Sequence, residues 1–265
     1  DIVGQAQEIS RCAAGPFSQS MGEALAAIHK INPDLIRDAG LPEYDAQTIL
    51  HKKVAEVDRV AATGKIPAGL LARWEEALED VGLFRFHPTV SHAQINQDSL
   101  LVSGGKLVGI TNWSQLSISD PAEDLKYLAG GALGSTFEDA ILHYRAAREN
   151  ADENIVQRAI LYSELELASW LAHCIQVGDE AMIADAQSML TDLDQQLKAQ
   201  TLRSLRAAGF IGLGSAGLAG ATAQLNQLPA SQQVEEEDSA EESTEVPAEP
   251  ASDSQLGEPN PDELF

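Results

Sequence analysis

Cysteine is nearly missing from this chain of 265 residues, which has only Cys12 and Cys174. Two cysteines exclude a disulfide framework and fit a reducing compartment, so the expected location is the cytoplasm. No charged-then-apolar leader is present at the start, and none of a secretory kind is expected. The chain opens on Asp1 rather than Met, and Ile2-Val3-Gly4 reads like the end of an interior strand, as if an upstream part were lacking. Basic residues are also scarce. Residues 231–265 carry 12 Asp or Glu and no Lys or Arg, while the other 230 residues carry 29 acids against 17 bases. Such a body repels phosphate backbones, so nucleic acid is not an expected partner. A long apolar run is lacking too. Ala207 to Val234 is uncharged but consists mostly of Ala, Gly, Ser and Gln. A membrane span needs about 20 predominantly apolar residues, so none is expected there.

Two kinds of chemistry lack their spacing. His29, His51, His87, His143 and His173 show no metal-ligand interval among themselves or with the cysteines, and read as surface or helix-packing residues. Ser91, Ser99 and Ser103 stand outside any G-x-S-x-G setting, which leaves a serine hydrolase without support. Gly212-Leu213-Gly214-Ser215-Ala216-Gly217 spells a dinucleotide fingerprint, but the strand that should precede it is absent from the pattern.

What is present is mostly helical. Ser20 as an N-cap, followed by Met21, Leu25, Ile28 and Ile31, predicts an amphipathic helix ended by Asn32-Pro33. Asp45 caps a second, with a stripe of Leu50, Val54, Val57 and Ala61, and Pro67 opens a third carrying Leu70, Leu71, Trp74 and Leu78. Leu83, Phe84, Phe86 and Val90 then suggest a short extended run broken at Pro88. Leu100-Leu101-Val102 and Leu107-Val108-Gly109-Ile110 flank Gly104-Gly105, a strong hairpin signal, because glycine supplies the positive φ of the reversal. Asp120-Pro121 reads as the cap and first position of another helix. Phe137, Ile141 and Tyr144 share a helix face, and two longer helices, 151–177 and 179–200, meet at Gly178.

The organising stretch is Ser91 to Leu125. It runs His92-Ala93-Gln94, then Ser99 five residues after Gln94, then the hairpin, Asn112-Trp113, and Asp120-Pro121-Ala122-Glu123-Asp124-Leu125. This order resembles the aminoglycoside phosphotransferase family, whose members read H-G-D, an asparagine five residues on, a hairpin, I-D-W or I-D-F, and D-P-x-x-D-L. Leu25-Ala26-Ala27-Ile28-His29 is similar to the family's L-A-x-L-H helix, and the run from Ala39-Gly40-Leu41-Pro42 to Trp74 resembles macrolide-phosphotransferase-like members.

The resemblance implies a mainly α (α+β) fold, the C-terminal lobe of a protein-kinase-like phosphotransferase with a small β-hairpin and the N-lobe sheet largely absent. It divides the chain into 1–17, a remnant of the inter-lobe connection; 18–200, the helical lobe; 201–230, an Ala/Gly-rich segment; and 231–265, an acidic tail expected to be disordered. It also implies roles. Gln94 stands where the family has its catalytic aspartate, and Ser99 and Asn112 stand where it has its Mg²⁺ ligands. His92 and Asp124 stand at structural positions of the catalytic loop. A glutamine amide has essentially no basicity, Ser99 is short and neutral, and Asn112 has lost a charge. Asp98, next to Ser99, is the one nearby carboxylate that could substitute.

The leading expectation is a catalytically impaired phosphotransferase-fold protein that acts by binding a small molecule or protein. Against it stands an active small-molecule O-phosphotransferase using ATP or GTP with Mg²⁺, of which this chain would be a fragment. An interaction module working through the acidic tail is the third reading.

Overall fold

The computed structural model describes residues 4–6, 8–148, 150 and 152–207. The chain divides into two units, Asp1–Val234 and Glu235–Phe265, and the second lies wholly outside the described residues. So do the Gly212–Gly217 motif and the acidic tail, together with all but the first residues of the Ala/Gly-rich segment.

Eight helices and five short strands make up the described part. The helices are α1 (Pro16–Ile28), α2 (Asp34–Asp38), α3 (Ala46–Ala61), α4 (Ala68–Glu79), α5 (Glu123–Gly131), α6 (Gly134–Ala147), α7 (Ile155–Val177) and α8 (Glu180–Lys198). The strands are β1 (Gln5–Ala6), β2 (Thr89–Ser91), β3 (Leu100–Ser103), β4 (Lys106–Ile110) and β5 (Ser117–Ser119). This is the mainly helical class with small sheets that the sequence predicts. No helix among the described residues is long and apolar enough to cross a membrane.

The hairpin forms where its glycines place it. Gly104 and Gly105 take φ of 57° and 74°, and β3 pairs antiparallel with β4 from Leu100↔Ile110 to Ser103↔Lys106. β1 adds to the other edge of β3, with Gln5 opposite Val102. A separate pair, β2 with β5, sets Val90 opposite Ile118. It brackets the central stretch, because β2 feeds the loop that starts at His92 and β5 feeds the turn into α5.

Several expectations about local structure shift. Asp45 does cap α3, its Oδ1 accepting from the Thr48 amide at 2.7 Å. The buried stripe of α3, however, is Ile49, Lys53, Val57 and Val60, and Val54 is exposed. α1 starts at Pro16, so Ser20 lies inside the helix and is not its cap. The Ser20 hydroxyl instead accepts the Leu107 amide at 2.9 Å, which pins α1 to β4. Leu83, Phe84 and Phe86 are buried but not in a strand; only residues 89–91 extend. The helix expected at Pro121 begins at Glu123.

One core joins all of these helices but α2, with Trp74, Leu70, Met21, Leu25, Leu128, Phe137, Leu161 and Leu190 fully buried; Ile36 of α2 packs instead with Val90 and Ile118 of the β2–β5 pair. α1 packs tightly on α6 at Gly22. A Cβ there would lie 2.3 Å from the Ala140 carbonyl oxygen and 2.8 Å from the Tyr144 nitrogen. Residues 201–207 continue past α8 onto the same body: Leu205 is buried, and the Ala207 amide donates to Asp80 Oδ2 at 3.0 Å.

Candidate active site

The loop after β2 is held by a single carboxylate. Asp124, in the first turn of α5 and fully buried, accepts the His92 amide on Oδ2 at 2.8 Å and the Ala93 amide on Oδ1 at 2.6 Å. Oδ2 also faces His29 Nε2 at 3.0 Å. On the other side of that ring, Nδ1 lies 2.8 Å from the Tyr144 hydroxyl, which accepts from Arg148 Nη1 at 2.6 Å. Nε2 faces an acceptor-only carboxylate and therefore donates to it. A chain of hydrogen bonds runs from the loop backbone through α5 and α1 to α6.

The His92 side chain, also fully buried, turns toward the hairpin exit. Its Nδ1 accepts the Gln94 amide at 3.3 Å, so Nε2 carries the proton and donates to the Thr111 carbonyl at 2.8 Å. Trp113 stands edge-on to the ring, with centroids 4.7 Å apart. Between these anchors Ala93 is forced to φ 61°. An L-residue is disfavoured there by about 1–2 kcal/mol. Asn112 takes φ 63°, which asparagine tolerates better.

The side chains of Gln94 and Asn112 meet across the loop mouth. Gln94 Oε1 accepts from Asn112 Nδ2 at 3.4 Å and from the Ser114 hydroxyl at 3.1 Å. Ser114 Oγ also lies 3.3 Å from Asn112 Oδ1. Ser99 is not part of this group. It is fully buried at the end of a 3₁₀ turn (Gln97–Ser99), where its hydroxyl donates to the Asn96 carbonyl at 2.8 Å and accepts the Asn96 amide at 2.9 Å. Asp98 is exposed, and its charge acts on Tyr127, whose hydroxyl is pushed up first by burial and then by that carboxylate. Among the described residues, no contact joins Asp98 to Gln94 or Asn112.

Two ionic clusters involve α5 and the turn that feeds it. Asp120, expected as a helix cap, does accept the Ala122 amide at 2.9 Å. Its main partner is Arg158, which donates to it at 2.6 and 2.9 Å and also to Asp152 and to the Leu83 carbonyl. Tyr162 donates to the same carboxylate at 2.7 Å. Burial opposes the Arg158 charge, but Asp120 and Asp152 outweigh it and raise its pKa. The second cluster ties α3, α5 and α7 together. Lys53 lies 3.2 Å from Glu56 and 3.0 Å from Glu123, and Lys126 lies 3.2 Å from Glu123 and 2.8 Å from Glu166. Burial works against the charge on Glu123, yet Lys126 and Lys53 prevail and hold its carboxyl down at about 2.

The model of the phosphotransferase enzyme family, known by the abbreviation APH, matches residues 12–171. The chain belongs to that family. Solved relatives agree in fold. A macrolide 2'-phosphotransferase from Brachybacterium faecium is 19% identical, with a TM-score of 0.55, over 70% of this chain and 60% of that one. Macrolide 2'-phosphotransferase type I is 22% identical, with a TM-score of 0.58, over 67% and 59%. Aminoglycoside 2'-phosphotransferase-IIIa in its GDP complex is 17% identical, with a TM-score of 0.58, over 76% and 70%. The chain therefore spans about 60% of the length of the macrolide phosphotransferases it matches. No curated protein matches it.

Phosphotransferases of this family pattern call for Mg²⁺, which binds near-octahedral hard oxygens, normally with one or two carboxylates among them. The residues that the sequence resemblance sets at the metal positions, Ser99 and Asn112, do not fit, nor do the side chains around Asn112. Asn112, Gln94 and Ser114 offer neutral oxygens already engaged with one another, and the Ser99 hydroxyl is used within its own turn. Among the described residues no three His, Cys, Asp or Glu side chains are grouped to hold a metal ion. A cavity of about 580 Å³ does exist, but it lies against residues 204–207, lined by Arg73, Glu76, Asp80 and Arg206.

Sequence reasoning singled out Gln94 and Asn112, which the fold brings together, and Ser99, which it turns away. It missed Ser114, whose position two residues after Asn112 in the N-W-S turn was the available signal. It also placed His29 among ordinary packing histidines, although the L-A-x-L-H spacing carries that residue to Asp124.

Proposed function

We propose that this chain is the helical lobe of a phosphotransferase-family protein that binds its ligand without transferring phosphate efficiently. The observation that carries the reading is the amide of Gln94 at the mouth of the loop. A general base must be able to take up a proton near the working pH, and an amide oxygen cannot. Phosphoryl transfer also depends on positioning and on neutralising charge, and the group around Gln94 supplies no carboxylate to recruit a cation. The supporting frame is intact. Asp124 still clamps the loop, and the strained backbone at Ala93 is still held. A loop held in place with a neutral mouth suits binding better than turnover.

The relatives' names suggest the ligands to try first, macrolides and aminoglycosides with ATP or GTP. The test is phosphate transfer by the full-length gene product, supplied with Mg²⁺ and each nucleotide over a panel of both antibiotic classes. The expected result is no transfer above a heat-inactivated control, together with a binding isotherm for at least one panel member. Transfer abolished by Q94A would overturn the proposal in favour of an active O-phosphotransferase.

A further inference from the structure

The chain does not leave the helical body at the end of α8. Residues 201–207 form a strap held on α4 by contacts of several kinds. Arg73 Nη2 donates to the Arg203 carbonyl at 2.7 Å, and Leu205 is buried in the core. Arg206 Nη2 donates to Glu76 at 2.7 Å, and the Ala207 amide donates to Asp80 Oδ2. The strap ends at the cavity of about 580 Å³, whose lining includes Ala77, Leu205 and Ala207 itself. Beside it the surface is unfinished. Val81 is 68% exposed, and Ala207 passes so near its neighbour Gly82 that a Cβ on Gly82 would lie 3.2 Å from the Ala207 Cβ.

The residues after Ala207 suit this place. The cavity's two arginines are matched within the protein, Arg73 by Glu164 and Arg206 by Glu76, so neither calls for an anionic occupant. Ala208-Gly209-Phe210-Ile211 is uncharged and brings two large apolar side chains. At up to about 3.5 Å per residue, Phe210 stays within about 10 Å of Ala207. We propose that residues 208–211 continue the strap and seat Phe210 and Ile211 in this cavity, against Ala77, Leu205 and Val81. The proposal is independent of the functional reading, because it uses nothing from the loop at residues 92–99. Its consequence is that the acidic tail departs from the α4 surface through a neutral spacer, not from the end of α8.

The experiment is amide hydrogen exchange on the full-length protein, combined with thermal unfolding of variants. Amides 209–211 are expected to exchange more slowly than amides 222–228, by about tenfold or more. F210S/I211S should lower Tm by about 4 °C or more, while L225S/L228S, the same change farther along, should leave it as it is. Val81→Ser should lower the wild-type Tm and have no effect in F210S/I211S, where its contact is already gone. Should F210S/I211S not fold, F210A takes its place in both comparisons. Exchange at 209–211 as fast as at 222–228 would overturn the proposal without any variant. So would an equal loss from Val81→Ser in both backgrounds, since the segment would then seat elsewhere. Protection that rises with protein concentration would put a second copy's segment in the cavity and would also overturn it.

Discussion

Asp124 Oδ1 lies 2.6 Å from the amide nitrogen of Ala93, one of the contacts that hold the loop carrying Gln94. The same carboxylate takes the neighbouring amide of His92 and the ring of His29. Asp124→Asn must turn an NH₂ toward one of these donors, of which those of His92 and His29 are buried. The expected loss is about 3 kcal/mol, read from urea denaturation, with faster amide exchange at residues 92 and 93 than elsewhere. Equal protection across the chain would show that the loop does not depend on the clamp.

Ala93 is the residue that this clamp strains. At φ 61° its Cβ is unfavourable, and glycine would remove the strain while adding freedom to the unfolded chain. The two effects oppose each other, leaving Ala93→Gly more stable by about 0.5 kcal/mol. A lowered Tm would mean that the Ala93 methyl makes packing contacts that outweigh its backbone strain.

Gly22 shows the reverse case, where glycine is required by its neighbour. A methyl there would lie 2.3 Å from the Ala140 oxygen, so α1 and α6 would have to separate. Better helix propensity recovers about 1 kcal/mol, against a packing loss of up to about 3 kcal/mol. Gly22→Ala is expected to lower stability by about 2 kcal/mol, measured by chemical denaturation.

Arg158 and Asp120 are both fully buried. Removing only the arginine strands a carboxylate, so Arg158→Met should cost about 3–5 kcal/mol. Adding Asp120→Asn removes the stranded charge, and the double variant should recover part of that loss. Additive losses would show that the pair is not coupled.

The Glu123 carboxyl predicts a pH dependence. Its folded value of about 2 lies below the ordinary 4.5. Between those values the unfolded chain takes up a proton that the folded chain does not, so stability is full above pH 4.5 and drains as pH falls toward 2. A shift of this size corresponds to about 3 kcal/mol. Glu123→Gln should flatten the fall in Tm across that window, compared with wild type in the same buffers.

What could be read from the sequence was whatever local chemistry decides. Gly104-Gly105 fixes the hairpin because few other residues accept both φ values, and Asp45 caps α3 because its oxygen reaches only the next turn. On α3, Val57 is buried as expected, but Lys53 takes the buried place expected of Val54, and a lysine is buried only when distant partners such as Glu123 meet its charge. Leu83, Phe84 and Phe86 looked extended because short apolar runs carry no period. Their burial in a turn depends on Arg158 and Asn154 reaching the Leu83 and Gly82 carbonyls. In the site, residue types at 94, 99 and 112 were legible from order and spacing. The inward turn of Ser99 and the arrival of Ser114 were not, since both follow from how the hairpin exit folds back on the loop.

The register of β1 on β3 has a kinetic consequence. Gln5 pairs with Val102, and α1, α2, α3 and α4 all lie between them in the chain. The hairpin can close on its own within microseconds, since its loop is short, but the third strand cannot be added until those four helices have brought the start of the chain back. Closing so long a loop is slow in entropy terms. Completion of this sheet is therefore expected as a late event in folding, after the hairpin and the helices it rests on.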